Sequence, residues 1–160
     1  MAFNSEKEMV DTIKESTYLK KLASKNDSIV MEEVKGLFGV PDLVIVNRDR
    51  KKKTTYAYEA KLTKWKRALM QAYRYKAFAN ESYVIMDHDH VGPALSNKEI
   101  FLKSNVGLIS IDNAGQVYYH YQPYREDPFS THLKNKFNSM IPPPGYRSSI
   151  DATSCSNGLK

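Results

Sequence analysis

The chain has 160 residues, 41% of them apolar and 26% charged, which suits one packed domain and argues against full disorder. No apolar run approaches the ~18 residues a membrane span needs, and the N-terminus has no signal-peptide core, so an intracellular, cytoplasmic protein is expected. The single cysteine, Cys155, excludes an internal disulfide framework and a cysteine-rich zinc site, and the net charge is +6.

In chain order, Ser5 to about Ala23 is predicted as a helix, with Asn4 or Ser5 as N-cap and Glu6, Lys7 and Glu8 in its first turn. Met9, Val10 and Ile13 fall on one face, with Glu6 on that same face. Ile29 to Val34 is β-prone, Gly36 to Val40 reads as a turn, and Leu43 to Val46 as a buried strand. Asn47 to Thr54 is a basic hairpin tip leading into a strand over Thr55–Leu62. A helix follows from Lys64 to about Ala79, with Trp65, Ala68, Leu69 and Ala72 on its buried stripe. Ser82–Met86 is a strand, Asp87–Gly92 a loop and Ser96–Ser104 a short helix. Val106–Ile111 and Gln116–Tyr121 are strands flanking an Asp-Asn-Ala-Gly turn. Beyond Asp127 the periodicity fades, so residues 1–141 are taken as one domain and 142–160 as a flexible tail. The order of elements implies an α/β fold with a mixed central sheet flanked by helices.

The charge is unevenly spread. Asn47 to Lys76 holds eleven basic and two acidic residues, which leaves the rest of the chain slightly acidic. Such a band suits a polyanion such as nucleic acid, or simply a solvated face. If Val46 pairs with Thr55 across the hairpin, Asp42 falls opposite Glu59, and Asp42, Glu59 and Lys61 share one face. Like charges at that spacing repel, so one carboxylate is held protonated or a cation offsets the pair. A divalent metal would do so, and Mg²⁺ favours one or two carboxylates plus water and phosphate oxygens.

Pro41-Asp42, a hairpin, then Glu59-Ala60-Lys61 is similar to the PD-(D/E)xK pattern of restriction-endonuclease-like nucleases. Gln71-Ala72-Tyr73-Arg74-Tyr75 resembles the Gln-x-x-x-Tyr element of RecB-type nuclease domains, and Glu6 on the first helix resembles the leading Glu of archaeal Holliday-junction resolvases. The resemblance covers residues 5–88 and implies a restriction-endonuclease-like core hydrolysing DNA phosphodiesters with Mg²⁺, for which Mn²⁺ would substitute. It implies Asp42, Glu59, the Ala60 carbonyl and Glu6 as metal ligands, and Lys61 as the residue that positions the water. Glu8 competes with Glu6, and Glu32 or Glu33 is a further acidic candidate, with no choice made between those two. Gln71, Tyr75, Lys64, Lys66, Arg67 and Arg74 are the candidate nucleic-acid contacts. A homodimer or a partner protein would supply specificity. The alternatives are an RNA nuclease with the same site, or an inactive nucleic-acid-binding or assembly module of this fold.

Asp87-His88-Asp89-His90 has metal-ligand chemistry, but four consecutive residues rarely converge on one ion, and a loop is expected. The tyrosines at 118, 119, 121 and 124 read as sheet-edge residues rather than a stacking platform. Trp65 reads as core.

Overall fold

The computed structural model describes residues 2–25, 27–49 and 52–143. It is an α/β fold: one six-stranded mixed sheet between two layers of helices. Two helices open the chain, α1 (Glu6–Glu15) and α2 (Thr17–Ala23). The expected single helix breaks at Ser16, whose backbone is extended (φ −69°, ψ 151°). Its buried hydroxyl accepts from the Leu19 N–H (3.2 Å) and donates to the Ile13 carbonyl (2.5 Å), so one side chain ends the first helix and caps the second.

The strands are β1 (Asp27–Glu32), β2 (Leu43–Arg48), β3 (Lys53–Lys61), β4 (Glu81–Asp87), β5 (Gly107–Ile111) and β6 (Val117–Tyr121), and they lie side by side in chain order. β2 runs antiparallel to both β1 and β3, β3–β4–β5 are parallel, and β6 returns antiparallel as an edge. Val46 pairs with Thr55, the register expected from the hairpin. α3 (Trp65–Tyr75) makes the β3–β4 crossover, and α4 (Gly92–Ser96) with α5 (Lys98–Ser104) makes the next. Period-2 alternation divides the core between the two faces. Leu43, Ile45, Tyr58, Ala60 and Ile85 pack under α1 and α2 with Met9, Ile13 and Leu19. On the other face Val84, Met86 and Leu108 meet Trp65, Ala72 and Phe101. Trp65 is therefore core, its ring 6.0 Å from that of Phe101.

The fading pattern beyond Asp127 conceals a helix, α6 (Thr131–Met140). Ser130 caps it by accepting from the Leu133 N–H at 3.1 Å. Leu133, Phe137 and Met140 recur at helical spacing, and Phe137 is fully buried against Val44, Val46, Ala57 and Phe78. Only three apolar residues among polar ones carry this stripe, too thin a signal to stand out. Phe137→Ala is expected to cost about 3–5 kcal/mol, a fall of roughly 10 °C in melting temperature for a chain of this size. A thermal melt showing a fall under 2 °C would make α6 a mere surface dressing. The Pro142 carbonyl accepts from Arg48 at 2.8 Å, while 144–160, with Cys155 and most of the expected tail, lie outside the described residues. No helix among the described residues is long and apolar enough to cross a membrane.

Candidate active site

The β2–β3 pairing runs to Leu43 opposite Tyr58. Just before it, the Asp42 N–H donates to the Tyr58 carbonyl at 3.0 Å, which leaves Asp42 beside Glu59, close enough for its charge to push the Glu59 carboxyl up. The Asp42 Oδ2 accepts the Ala60 N–H at 2.8 Å. A strand residue sends its N–H and C=O to the same side, so the Ala60 carbonyl also points toward Asp42. Two carboxylates and one carbonyl thus gather where β2 begins and β3 ends.

Glu59 faces α3. Its side chain is 4% exposed, and Oε2 meets the Tyr75 hydroxyl, which also lies 3.0 Å from the Val40 carbonyl. One hydroxyl proton faces two acceptors; a proton on Glu59 lets all three oxygens be satisfied. Burial pushes the Glu59 carboxyl up to about 7, and Asp42 adds to this, while Tyr75 and Lys61 oppose it. Burial also raises Asp42, against the pull of the Ala60 N–H and Lys61. Gly39 makes the Tyr75 position available: at φ +91°, a Cβ there would sit 2.9 Å from the Tyr75 ring.

The Lys61 ammonium lies 3.5 Å from Glu59 Oε1 and 3.3 Å from Glu6 Oε2. Both answers to carboxylate repulsion are therefore present, a raised carboxyl and a cation. Glu6 reaches the site from α1. Glu8 does not: its Oε2 accepts the Asn4 N–H at 2.9 Å. Glu32 is paired with Lys14. Glu33 takes a left-handed backbone (φ 46°), donates its N–H to the Asp42 carbonyl at 3.3 Å and pushes the Asp42 carboxyl up. Glu6, Glu32, Glu33 and Asp42 all line a cleft of about 460 Å³. The sequence offered Glu32 and Glu33 as equals; both line the cleft, and what distinguishes them is that Glu32 is paired with Lys14.

The oxygen donors of Asp42, Glu59 and Ala60 match the hard-ligand preference of Mg²⁺. Among the described residues no three carboxylates, imidazoles or thiols stand close enough to form a ready ligand set. Tyr75 and Lys61 hold the Glu59 oxygens, so loading an ion requires Glu59 to exchange these partners and to lose any proton it carries.

The candidate nucleic-acid contacts divide. Lys64, Lys66, Arg67 and Arg74 are exposed and have no ion-pair partner among the described residues. Lys64, Lys66 and Arg67 stand at the start of α3, directly after Lys61, while Arg74 lies over the Phe38 ring. Gln71 is half-buried, with Oε1 unpartnered. Tyr75 is fully buried and turned to Glu59, not to solvent.

Nor is the basic band one surface. The hairpin tip is six residues along β2 from Asp42, about 20 Å at ~3.3 Å per residue. There Arg48 pairs with Asp27 and Lys53 with Asn138, while Arg50 and Lys51 lie outside the described residues. Lys76 is buried and donates to Glu126 and to the Ser104 carbonyl, both at 2.8 Å.

Residues 87–90 do not gather on one point: the His90 Nδ1 meets Asp87 Oδ2 at 3.2 Å, but His88 turns away. Asp87 is buried, accepting the Phe3 and Asp89 N–H groups, and the His88 Nδ1 turns to Ser110 Oγ at 2.8 Å. The expected loop there is a 3₁₀ turn, His88–His90. Tyr118, Tyr119 and Tyr121 lie along the edge strand β6.

No family model matches the chain, and neither a curated protein nor a solved structure does.

Proposed function

We propose that this chain is a PD-(D/E)xK-type, metal-dependent nuclease with a restriction-endonuclease-like core, hydrolysing phosphodiester bonds in DNA. The observation that carries the reading is the cluster where β2 begins and β3 ends: Asp42 accepts the Ala60 N–H at 2.8 Å beside Glu59, and the Lys61 ammonium lies 3.5 Å from the Glu59 carboxylate. Asp42, Glu59 and the Ala60 carbonyl would hold Mg²⁺, or Mn²⁺ in its place. The ion would supply Lewis-acid stabilisation of charge on the phosphate and leaving oxygens, and a more acidic bound water.

The chain's own residues do the rest. Glu6 and Glu59 anchor Lys61 from two sides, so its ammonium stands ready to orient an attacking water and to neutralise charge developing on a phosphate oxygen. Lys64, Lys66 and Arg67 follow at once on the chain and neutralise flanking phosphates. Tyr75 holds Glu59 until the site is loaded.

Incubating the full chain with linear, branched and single-stranded DNA, with Mg²⁺ or Mn²⁺ against EDTA, tests the reading. Metal-dependent cleavage that disappears in Asp42→Asn is expected. A wild-type protein whose melting temperature rises with metal but which cuts none of these substrates would be a binding module, and one that cuts only RNA would change the substrate. A protein that neither shifts nor cuts has no such site.

Binding of the metal-free protein to duplex DNA is expected to weaken steeply with salt. Replacing Lys64, Lys66 and Arg67 together by Ala should flatten the slope of log affinity against log salt by close to one per lost contact. An unchanged slope in a fluorescence-anisotropy titration would assign these charges to solubility.

A further inference from the structure

A cavity of about 370 Å³ lies between α2, the middle of β3, the first residues of β4, and β6. Small-ligand clefts span about 300–1,000 Å³. Its residues Tyr56 and Tyr58 alternate with Ala57 and Glu59, so it opens on the α1/α2 face, whereas Glu59 faces α3.

Its walls are aromatic. Tyr18 and Tyr119 meet edge to face, with centroids 5.6 Å apart at 67°, and Tyr119 is 58% exposed. The Tyr18 hydroxyl is fixed by that of Tyr58 at 2.7 Å, which orients its ring. Tyr56 completes the wall with no hydrogen-bond partner for its hydroxyl among the described residues. Burial keeps the Tyr18 and Tyr56 phenols above their ordinary range, so both remain neutral hydroxyls at physiological pH.

The polar groups are of two kinds. Lys21 and Lys25 line the cavity without an ion-pair partner among the described residues, although the neighbouring Lys20 is paired with Glu15 at 3.2 Å. Glu81 lines it as well, held through one oxygen by the Tyr83 hydroxyl at 3.0 Å. Aromatic walls, two unpaired ammonium groups and one carboxylate acceptor make a composite specification. A bare anion has no use for the tyrosines, and a neutral aromatic compound has none for the lysines.

We propose that this cavity binds a nucleotide unit, an aromatic base carrying a phosphate. The base stacks on the tyrosine faces, as unpaired bases do on aromatic platforms. Lys21 and Lys25 neutralise the phosphate, and Glu81 accepts a hydrogen bond from a base N–H or a sugar hydroxyl. The same chemistry is offered by a free mononucleotide and by the terminal nucleotide of a single strand. Only Tyr58 touches both, through its carbonyl at Asp42 and its ring in the cavity, and none of the side chains argued to hold the nucleotide belongs to the Asp42–Glu59 site, so the two readings stand or fall separately.

Calorimetric titration of the full chain in EDTA with AMP, TMP, the matching nucleosides, inorganic phosphate and a 5′-phosphorylated oligo(dT) tests the proposal. AMP or TMP is expected to bind saturably, with nucleoside and phosphate each at least about tenfold weaker. Tyr119→Ala, and separately Lys21→Ala with Lys25→Ala, should each weaken the mononucleotide about fivefold or more, while Asp42→Asn binds as wild type. These positions are exposed, and nucleotide-induced NMR shifts at the Lys21 and Tyr119 amides of the wild type give the same answer without mutation. An oligonucleotide at least tenfold tighter than TMP, with the same sensitivity to the variants, identifies a strand terminus; equal affinities identify the free nucleotide. No saturable binding of either mononucleotide, or binding that ignores both sets of variants, overturns the proposal.

Discussion

Lys61→Ala should lower the cleavage rate by at least about 100-fold while leaving the metal-induced rise in melting temperature in place. Loss of one preorganised group that stabilises transition-state charge typically costs 10²–10³ in rate. The ammonium of Lys61 is held at 3.3 Å and 3.5 Å by Glu6 and Glu59, close to the carboxylates without being a ligand. Its removal takes away a competing cation, so metal affinity should hold or tighten. Asp42→Asn and Glu59→Gln should behave in the opposite way. Each removes an oxygen charge on which the ion depends, and the thermal shift, about 2.7 kcal/mol at a hundredfold excess over Kd for a one-site ligand, should vanish with the cleavage. Parallel melts and nicking assays on the four proteins separate holding the metal from using it. Lys61→Ala that retains the wild-type rate would remove Lys61 from the mechanism.

Stability in the absence of metal should fall as pH rises from 5 to 8, and Glu59→Gln should abolish most of that fall. The Glu59 carboxyl is raised from 4.5 to about 7, chiefly by burial. Between those values the folded chain binds a proton that the unfolded chain has released. Folding is therefore favoured most below about 4.5, and the contribution is lost as pH climbs through about 7. The gap between the two values corresponds to about 3 kcal/mol. Gln is neutral at every pH and its amide can still pair with the Tyr75 hydroxyl, so it mimics the protonated acid. At pH 5 the two proteins should melt together, and at pH 8 Glu59→Gln should melt several degrees higher, at about 2–4 °C per kcal/mol. Melting curves that run parallel across this range would mean Glu59 is charged throughout. Mg²⁺ binds the charged form, so its thermal shift in the wild type should grow over the same interval.

Both expectations depend on contacts of different legibility. The hairpin was legible in the sequence: Leu43 to Val46 and Thr55 to Ala60 read as buried strands around a polar tip, and Val46 opposite Thr55, one of several neighbouring registers, is the one the chain adopts. That Asp42 and Glu59 share a face follows from strand alternation, which is local and has a period of two. Helix periodicity likewise set Glu6 on the face of Met9 and Ile13, and Trp65, Ala68, Leu69 and Ala72 on the buried stripe of α3. The same local rules failed where the stripe was sparse, as in α6, or where one serine competed with the helix backbone, as at Ser16.

What only the tertiary structure decided are the pairings between elements far apart in the chain. Tyr75 reads in sequence as a surface contact one turn from Gln71, yet it is buried on Glu59, because Gly39 leaves space for its ring against a left-handed backbone. Lys76 and Arg48 belong to the basic band by sequence, but by structure Lys76 is buried on Glu126 and Arg48 is half-buried and paired with Asp27. Glu33 takes a left-handed backbone that no periodicity encodes. Tyr18, Tyr56 and Tyr119 come from a helix and two non-adjacent strands, and they form one wall only once β6 has returned beside β5 and α2 has packed over β3. A side chain's partner depends on the packing of whole layers, whereas its face depends only on its neighbours in the chain; the second was readable from the sequence and the first was not.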